Sequence, residues 1–284
     1  MAANGNKVVV VTGASSGVGF ETALGLARDG YRVIALGRNP ERMAASAEAV
    51  AKAAPAARVD WLGADLSVMA EVREVSRRIG DLADRIDVLI NNAGQTINTY
   101  NVTVEGLEQT FAGNVLAPFL MTGILLPLLH NAPQPHVITT ASVGHSYIDD
   151  MFWDDLQFQR GYSCPMAYLQ SKLANILFTR ELAVRHAELV SSSIHPGTVS
   201  SNFTDTADER TKQFFAEASK KGELVTPADA ADTLLWLTRD IGNALPSGGY
   251  FFERERIEPS AAAMNPDSAK RLWAICEDLA GIAY

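Results

Sequence analysis

The sequence predicts an α/β protein in which helices cover both faces of a mainly parallel, doubly wound sheet. Short β-branched runs alternate with longer segments of helical periodicity between residues 7 and 197. The first run, "KVVVVTG" at 7–13, is apolar without alternation, as in a strand buried on both faces. A glycine-rich turn then joins this strand to the first helical segment. Together these observations indicate a sheet whose strands are connected by helices.

Each element has a local signal in the sequence. Gly30 ends the first helical segment, alanine dominates the second, and Pro118 and Pro127 are expected to kink or break the fourth. The predicted strands are 7–13, 32–38, 58–67, 86–94, 136–142, 189–197 and, as a seventh, 248–256. The predicted helices are 20–30, 40–53, 68–84, 105–130, 166–187 and 266–282. Because no linker or repeat interrupts this order, residues 1–284 are predicted to form one domain.

Composition disfavours several classes of function. The chain of 284 residues is 47% hydrophobic and 20% charged, and its net charge of −9 without a basic stripe disfavours nucleic acid as a partner. The N-terminus does not resemble a signal peptide, and no apolar run reaches the ~18 residues that a membrane span needs. Cys164 and Cys276 lack metal-ligand spacing, so we expect reduced thiols, a cytoplasmic location and no bound metal. Homo-oligomerisation stays open.

The turn after the first strand, "TGASSGVG" at 12–19, is typical of a phosphate-binding loop. Glycines let backbone N–H groups approach a pyrophosphate that rests on the N-terminus of the following helix. The spacing is G-x-x-x-G-x-G rather than G-x-G-x-x-G, and such turns also occur without ligands. Its position at the first strand–helix junction nevertheless favours a nucleotide site. The candidate contacts are Gly13, Ser15, Ser16, Gly17, Val18 and Gly19.

The end of the second strand indicates which nucleotide would bind. An acidic residue there would accept hydrogen bonds from a ribose 2′-hydroxyl, whereas an arginine suits a 2′-phosphate. This chain has Arg38, with Arg42 one helical turn further on. Arg38 would be an ordinary surface arginine in another context, but the glycine-rich loop before it favours NADP(H).

Further motifs follow in order along the chain: "NNAG" at 91–94, Asn114, Ser142, Y-x-x-x-K from Tyr168 to Lys172, and "HPGTVSS" at 195–201. Together with the glycine-rich loop, they resemble the short-chain dehydrogenase/reductase family over residues 7–252. The stretch "YSCPMAYLQSKLANILFTREL" resembles the retinol-dehydrogenase-like group within that family. The resemblance implies a single Rossmann-type domain that reduces a carbonyl with NADP(H), or catalyses the reverse oxidation.

The resemblance also assigns catalytic roles to four residues. Hydride transfer to a carbonyl leaves negative charge on its oxygen, so a proton donor must lie there. Tyr168 is expected to be this general acid, while Lys172 would lower its pKa from about 10 and bind the nicotinamide ribose. Ser142 is expected to orient the substrate oxygen, and Asn114 to hold a water that relays protons to Lys172.

The remaining carried-over positions are cofactor contacts. Asp65 and Leu66 correspond to positions beside the adenine, and Ser201 stands where the family more often has threonine. The set implied beyond the glycine-rich loop and the two arginines is Asp65, Leu66, Asn92, Ala93, Gly94, Tyr168, Lys172, Pro196, Gly197, Val199 and Ser201.

The chain departs from most of the family between Ser142 and Tyr168, which are 26 residues apart (168 minus 142). The additional segment, 145–163, is predicted to loop out above the active site, and residues 202–225 are predicted to form a helical lid. Aromatic side chains here either attach the loop to the domain or line a pocket for a bulky apolar substrate. The candidate substrate contacts are His145, Phe152, Trp153, Phe158, Phe203, Phe214 and Phe215.

Other functions stay open from sequence alone. A Ser–His hydrolase using Ser142 and His145 is disfavoured because "TTASVGH" is not a G-x-S-x-G nucleophile elbow. Related folds reduce C=C bonds or epimerise sugars, although extended epimerases usually carry a longer C-terminal region. A non-catalytic NADP(H)-sensing protein would typically lack the tyrosine or the lysine, and both are present. The sequence therefore favours a carbonyl reductase and does not name its substrate.

Overall fold

The structure, a computed structural model, describes residues 7–200, 205–239 and 246–284. Within these residues, eight strands form one sheet in the order β3-β2-β1-β4-β5-β6-β7-β8, and only the β7–β8 pair is antiparallel. The strands are β1 Val8–Val11, β2 Arg32–Gly37, β3 Val59–Gly63, β4 Val88–Asn91, β5 His136–Thr140, β6 Val190–Ile194, β7 Gly249–Phe252 and β8 Glu255–Ile257.

Helices cover both faces of this sheet. They are α1 Gly17–Arg28, α2 Pro40–Ala53, α3 Met69–Leu82, α4 Gln109–Phe111, α5 Ala117–His130, α6 Cys164–Arg185, α7 Glu209–Lys221, α8 Pro227–Arg239 and α9 Pro266–Ala280. A π-helical turn, Ala112–Leu116, joins α4 to α5, and short 3-10 turns occupy Val143–Tyr147 and Ala262–Met264.

The unbroken apolar run of β1 is explained by burial on both faces. Val8 and Val10 belong to the hydrophobic core on the α3, α5, α6 and α9 side, whereas Val9 and Val11 belong to the core on the α1 and α8 side. All four side chains are buried. Because side chains alternate along a strand, only a strand covered on both faces needs apolar residues at every position.

The strand order creates a crevice at the carboxyl ends of β1 and β4. From β1 the chain proceeds outward through β2 and β3, and it then returns to β4 on the other side of β1. The connections on the two sides of this point diverge, so the loops leave a groove between them. Ligands of doubly wound sheets bind at such a switch point.

The structure differs from the predicted elements near the C-terminal edge of the sheet. The predicted seventh strand, 248–256, is a hairpin of β7 and β8, so the sheet has eight strands rather than seven. Its two turn residues, Glu253 and Arg254, have φ of +49° and +64°, as in a two-residue type I′ turn. Neither is glycine or asparagine, so the usual sequence signal is missing. Helix α8, which packs against α1, was not among the predicted elements.

The predicted helix 105–130 is irregular in the structure. It begins at Gln109, widens in the π turn, and continues as α5, where Pro118 lies in the first turn. Among the described residues, Gln109–His130 is the one helical stretch long and apolar enough to cross a membrane. Of its most apolar window, 78% is buried inside the fold, as is typical of a core helix.

Candidate active site

The loop between β1 and α1 is locked onto the end of β4. Thr12 Oγ1 accepts hydrogen bonds from the backbone N–H groups of Asn92 and Ala93, both at 2.9 Å. The Asn92 side chain donates back to the Thr12 carbonyl at 3.0 Å. A Cβ on Gly19 would lie 2.2 Å from the Gly13 carbonyl oxygen, so a side chain at position 19 would break the turn. The glycine-rich loop is therefore held in a fixed position at the base of the crevice.

The N-terminus of α1 fits an anion. Ser16 is the N-cap residue, and among the described residues its side chain makes no capping hydrogen bond. The first turn, which begins at Gly17, contains no acidic residue. The first N–H groups of a helix lack intrahelical partners and carry the positive end of the helix dipole. A cofactor pyrophosphate would accept hydrogen bonds from these N–H groups, and its negative charge would be stabilised by the dipole.

Two arginines lie beside the carboxyl end of β2. Arg38 donates from Nη1 to Gln95 Oε1 at 3.2 Å, and the same nitrogen lies 3.7 Å from an Asp65 carboxylate oxygen. Arg42, in the first turn of α2, lies 3.6 Å from the Asp205 carboxylate. These pairs are solvent-exposed and therefore weak, so a phosphate can replace them at little cost. The two guanidinium groups fit a ribose 2′-phosphate.

Asp65 and Leu66 follow β3, where the adenine contacts were predicted. Asp65 Oδ1 accepts from the Ser67 N–H at 2.9 Å and from the Ser67 hydroxyl at 2.8 Å, so this carboxylate anchors the turn before α3. Leu66 borders a small cavity together with Thr12 and Ala93. Both residues thus lie along the same crevice as the glycine-rich loop.

Asn114 occupies the π turn and joins it to two other elements. Its Oδ1 accepts from the Gln95 N–H at 2.9 Å, while its Nδ2 donates to the Gln95 carbonyl at 2.8 Å and to Ser171 Oγ at 3.1 Å. A Cβ on Gly94 would lie 3.3 Å from Lys172 Nζ and 3.8 Å from Asn114 Oδ1. The "NNAG" loop, the π turn and α6 therefore meet at one point.

Tyr168 and Lys172 lie one helical turn apart on α6, beside the end of β5. Lys172 is 3% exposed, donates from Nζ to the Thr140 carbonyl at 2.9 Å, and lies 5.5 Å from the centroid of the Tyr168 ring. Ser142, two residues beyond β5, lies close enough to the Tyr168 side chain to lower the pKa of that tyrosine as a hydrogen-bond partner. The structure therefore brings all four predicted catalytic residues to the same strand end.

Burial controls the titration of this pair. It lowers the pKa of Lys172 to about 8 and raises the pKa of Tyr168 to about 12, while the hydrogen bond from Ser142 opposes the latter shift. The structure thus differs from the expectation that Lys172 lowers the pKa of Tyr168. Removing the phenolate from water raises the pKa of Tyr168 more than the hydrogen bond from Ser142 lowers it. Tyr168 therefore keeps a proton to donate.

Comparison with known proteins decides the family. The model of the short chain dehydrogenase family matches residues 7–212, a span that contains the glycine-rich loop and the four residues just described. The chain belongs to the short-chain dehydrogenase family.

Its relatives within this family cover nearly the whole chain. It is 34% identical to retinol dehydrogenase 12 of Mus musculus, over 98% of this chain and 87% of that protein. It is 35% identical to the protein named "Putative daunorubicin C-13 ketoreductase DnrU" from a Streptomyces species, over 94% of this chain and 90% of that protein. Among solved structures, the Pseudomonas aeruginosa RhlG/NADP complex is 25% identical with a TM-score of 0.68, covering 87% of this chain and 94% of that one.

The segment after β6, which holds the predicted cofactor contacts Pro196, Gly197 and Val199, packs against the residues before α8. Gly197 has φ of +85°, and a Cβ there would lie 2.8 Å from the Val225 side chain. Val199 pairs with Val225 in an isolated parallel bridge. The turn that begins at Pro196 is thus tied to the residues before α8. Two further predicted contacts, Ser201 and Phe203, lie outside the described residues.

The long segment 145–163 folds back onto the rest of the chain. Phe158 is buried with φ of +52° and meets Phe152 edge to face, with ring centroids 5.2 Å apart. Trp153 packs against the Arg271 guanidinium of α9 at 4.4 Å. Phe152 is 36% exposed. Some of these aromatics therefore attach the segment to the domain, and their roles as substrate contacts stay predictions.

The other candidate substrate contacts differ strongly in exposure. Phe214 on α7 is 58% exposed and packs edge to face against Phe215, with ring centroids 5.6 Å apart. His145 is 3% exposed, and both of its ring nitrogens are bonded to backbone groups of Ser142 and Ser260. Those nitrogens are not open to a substrate.

Sequence reasoning missed three residues that support the site. They are Thr12, whose hydroxyl holds the "NNAG" loop, Gln95, which brackets Asn114, and Thr140, whose carbonyl holds Lys172. Thr140 acts through its backbone carbonyl, so its side-chain type carries no signal. Thr12 acts through its hydroxyl on a loop 80 residues away in the sequence. Gln95 could have been suspected because it directly follows the motif and its side chain contacts Arg38.

Proposed function

We propose that this short-chain dehydrogenase is an NADP(H)-dependent carbonyl reductase. It would convert a ketone or aldehyde of a bulky apolar or aromatic molecule into an alcohol, or catalyse the reverse oxidation. The observation that carries this proposal is the buried Lys172 beside the half-buried Tyr168 at the end of β5, with Ser142 close enough to act as a hydrogen-bond partner of Tyr168. Buried ionisable pairs with shifted pKa values in a ligand crevice are typical of acid–base catalysis.

The residues divide the chemistry among them. Bound NADPH would supply a hydride to the carbonyl carbon. Ser142 would hold the carbonyl oxygen, and Tyr168, which stays protonated at neutral pH because its pKa is about 12, would donate the proton that this oxygen needs. Lys172, with a pKa of about 8, is mainly charged at pH 7 and favours the phenolate that is left behind.

Asn114 supports proton return to this site. The relay role implied for it requires a fixed position, and its side chain has three hydrogen bonds to Gln95 and Ser171. Because Asn114 and Lys172 flank the same point beside Gly94, a water bound there would reach both. Loss of the Asn114 amide would therefore slow reprotonation of Tyr168 through Lys172.

The preference for NADP(H) is supported by charge at the end of β2. Arg38 and Arg42 present guanidinium groups where a ribose 2′-phosphate would lie, and their protein partners are exposed. The similar RhlG structure is a complex with NADP. A protein selective for the unphosphorylated cofactor would be expected to have an acidic residue at position 38.

The size of the substrate is supported by the residues around the entrance. Phe152 and Phe214 leave apolar surface exposed on the long segment and on α7. The relatives are named for retinol and for daunorubicin, both large and apolar or aromatic. We also propose a cytoplasmic location, which the burial of most of Gln109–His130 inside the fold supports.

A panel of carbonyl compounds tests the proposal. NADPH absorbance should fall with at least one bulky aryl or polycyclic ketone, and product identification should give the secondary alcohol. Including enones separates the alternatives, because a C=C reductase would leave the carbonyl intact. Absence of turnover across ketones and aldehydes in both directions, with cofactor binding retained, would support a sensing protein instead.

A further inference from the structure

His145 connects the residue that orients the substrate to the C-terminal part of the chain. It lies in the 3-10 turn directly after Ser142 and is almost fully buried. Its Nδ1 lies 2.6 Å from the Ser142 carbonyl oxygen, and its Nε2 lies 3.0 Å from the Ser260 backbone nitrogen. The imidazole is therefore a bridge between two stretches of backbone that are far apart in sequence.

These two contacts determine the protonation state of the ring. The Ser260 backbone N–H can only donate, so Nε2 must accept and carries no proton. The Ser142 carbonyl can only accept, so Nδ1 carries the proton. The bridge consequently needs the uncharged Nδ1–H tautomer. Burial also lowers the pKa of His145, which is consistent with that form.

The surroundings of the ring hold it in place without a carboxylate partner among the recorded contacts of the described residues. The Tyr250 ring meets His145 edge to face with centroids 5.1 Å apart. His195 lies nearby, and its Nδ1 accepts from the Val143 N–H at 3.3 Å. Two neutral imidazoles thus help to hold the loop after Ser142. His145 bonds to the Ser142 carbonyl, and His195 accepts from the Val143 N–H.

The position of the Ser142 hydroxyl depends on this loop. Its Oγ accepts from the Gly144 N–H at 3.1 Å and lies close enough to the Tyr168 side chain to lower the pKa of that tyrosine as a hydrogen-bond partner. The Ser142 carbonyl also accepts from the His145 backbone N–H at 3.2 Å, so losing the imidazole removes the shorter of two hydrogen bonds. With only the longer bond left, the peptide could rotate and carry the hydroxyl away from Tyr168. Hydride transfer is sensitive to such a displacement because the reacting oxygen must meet both hydroxyls at once.

We propose that His145 is a positioning residue that fixes Ser142 for catalysis by tying its carbonyl to the C-terminal segment at Ser260. The inference goes beyond the assigned catalytic residues and rests on the proposed function. It predicts that altering a buried side chain without substrate or cofactor contact slows turnover while leaving cofactor binding intact.

Three substitutions at His145 separate the two halves of the bridge. In His145→Asn the amide N–H can occupy the Nδ1 position and keep the bond to Ser142. In His145→Gln the amide oxygen can occupy the Nε2 position and keep only the bond to Ser260, and His145→Leu keeps neither. We expect kcat to fall at least tenfold in His145→Leu and His145→Gln and clearly less in His145→Asn. The Kd for NADPH should stay within twofold of the parent value in all three variants.

A matched control comes from the opposite end of β5. His136 is also buried, pairs with Ser192 Oγ at 2.9 Å, and lies six residues from Ser142, or about 20 Å along an extended chain. His136→Leu should lower Tm but leave kcat within twofold. If His145→Leu changes kcat no more than His136→Leu, or if Asn loses as much kcat as Leu, His145 does not position Ser142.

Two measurements decide the inference even if no carbonyl substrate is found. Nitrogen-15 spectra of the parent should show His145 as the Nδ1–H tautomer at neutral pH, and a charged ring or the other tautomer would overturn the bridge. Crystal structures should show the Ser142–Tyr168 hydrogen bond in His145→Asn and its loss in His145→Leu. Retention of that bond in the leucine variant would refute the positioning role, and should that variant not fold, the same comparison between Asn and Gln decides.

Discussion

The proposed active site has two parts that differ in how their side chains are held. The catalytic floor, formed by Asn114, Ser142, Tyr168 and Lys172, lies at strand ends. Asn114 and Lys172 are 0% and 3% exposed, and Ser142 and Tyr168 are half-buried. The rim, formed by residues 145–163 and α7, leaves Phe152 at 36% and Phe214 at 58% exposure. The floor is cross-linked by hydrogen bonds, whereas the exposed rim residues pack mainly against each other. We therefore expect substitutions in the floor to change catalysis most and substitutions in the rim to change substrate selection at little cost in stability.

The largest expected effect comes from removing the proton donor of the floor. Tyr168→Phe should lower kcat by at least ~10²-fold, the lower end for acid–base catalysis, because no group then protonates the reduced oxygen. NADPH binding, measured by cofactor fluorescence, should change little. Substantial residual turnover in this variant would remove Tyr168 from the mechanism.

A tyrosine of the rim is the matched control for Tyr168→Phe. Tyr162 donates to the Ile97 carbonyl at 2.7 Å and lies 3.2 Å from Thr110 Oγ1. Tyr162→Phe loses those hydrogen bonds, which should cost about 1 kcal/mol of unfolding free energy, but it should retain kcat. A loss of kcat as large as that of Tyr168→Phe would show that floor and rim are not separable.

The next effect concerns an exposed side chain that we assign to function rather than to stability. Arg38→Asp removes the partner of the 2′-phosphate and adds repulsion, so kcat/KM with NADPH relative to NADH should fall by about 100-fold or more, as expected for losing a charge-assisted pair. Tm should hardly change because Arg38 makes only exposed contacts. Equal use of both cofactors by the parent enzyme would contradict the assignment.

A control for charge alone is Arg28→Asp. Arg28 is an exposed residue in the last turn of α1, at the opposite end of that helix from the glycine-rich loop. This variant changes the net charge by the same amount as Arg38→Asp. It should leave the ratio of the two cofactors unchanged, and a similar shift in preference would point to long-range electrostatics instead.

Two histidines, His136 at the start of β5 and His195 directly after β6, make the stability of the fold sensitive to acid. Burial lowers the pKa of His136 to about 3 and that of His195 to about 4, both below the ordinary value near 6.5. The unfolded chain therefore takes up protons first as pH falls, so this stability is complete above about pH 6.5 and is lost towards pH 4 and 3. Each histidine should contribute up to ~1.4 kcal/mol per pH unit in that window.

Urea unfolding at several pH values between 7 and 4 checks this expectation. The parent should lose unfolding free energy more steeply than His136→Gln, which lacks the buried imidazole but keeps a polar side chain. Parallel slopes for the two proteins would mean that His136 titrates normally in the folded state.

The difference between floor and rim also explains what could be predicted from sequence. The resemblance to the short-chain dehydrogenase/reductase family assigned Ser142 and Tyr168 to one site. The alternation of strands and helices, which brings strand ends to one edge of the sheet, agrees with that assignment. Lys172 was expected to lower the pKa of Tyr168, but the burial that reverses this shift depends on packing from several elements. His145 was predicted to contact the substrate. Its contact with Ser260 could not be predicted, because Ser260 lies 115 residues away in the sequence. The β7–β8 turn was missed because its two residues carry no turn signal.

The smallest effect, and the sharpest test of the rim, compares two phenylalanines. Phe214 is exposed on α7, whereas Phe158 is buried in the long segment against Phe152 and Tyr162. Phe214→Ala should leave Tm unchanged but raise KM for bulky ketones several-fold, since losing ~40 Å2 of apolar contact costs about 1 kcal/mol of binding. Phe158→Ala should instead cost about 3 kcal/mol of unfolding free energy, as expected for truncating a buried aromatic. KM for small ketones should stay near the parent value in the Phe214 variant. If Phe214→Ala leaves KM unchanged for substrates of every size, the lid does not contact the substrate, and the size selectivity of the enzyme lies in the long segment alone.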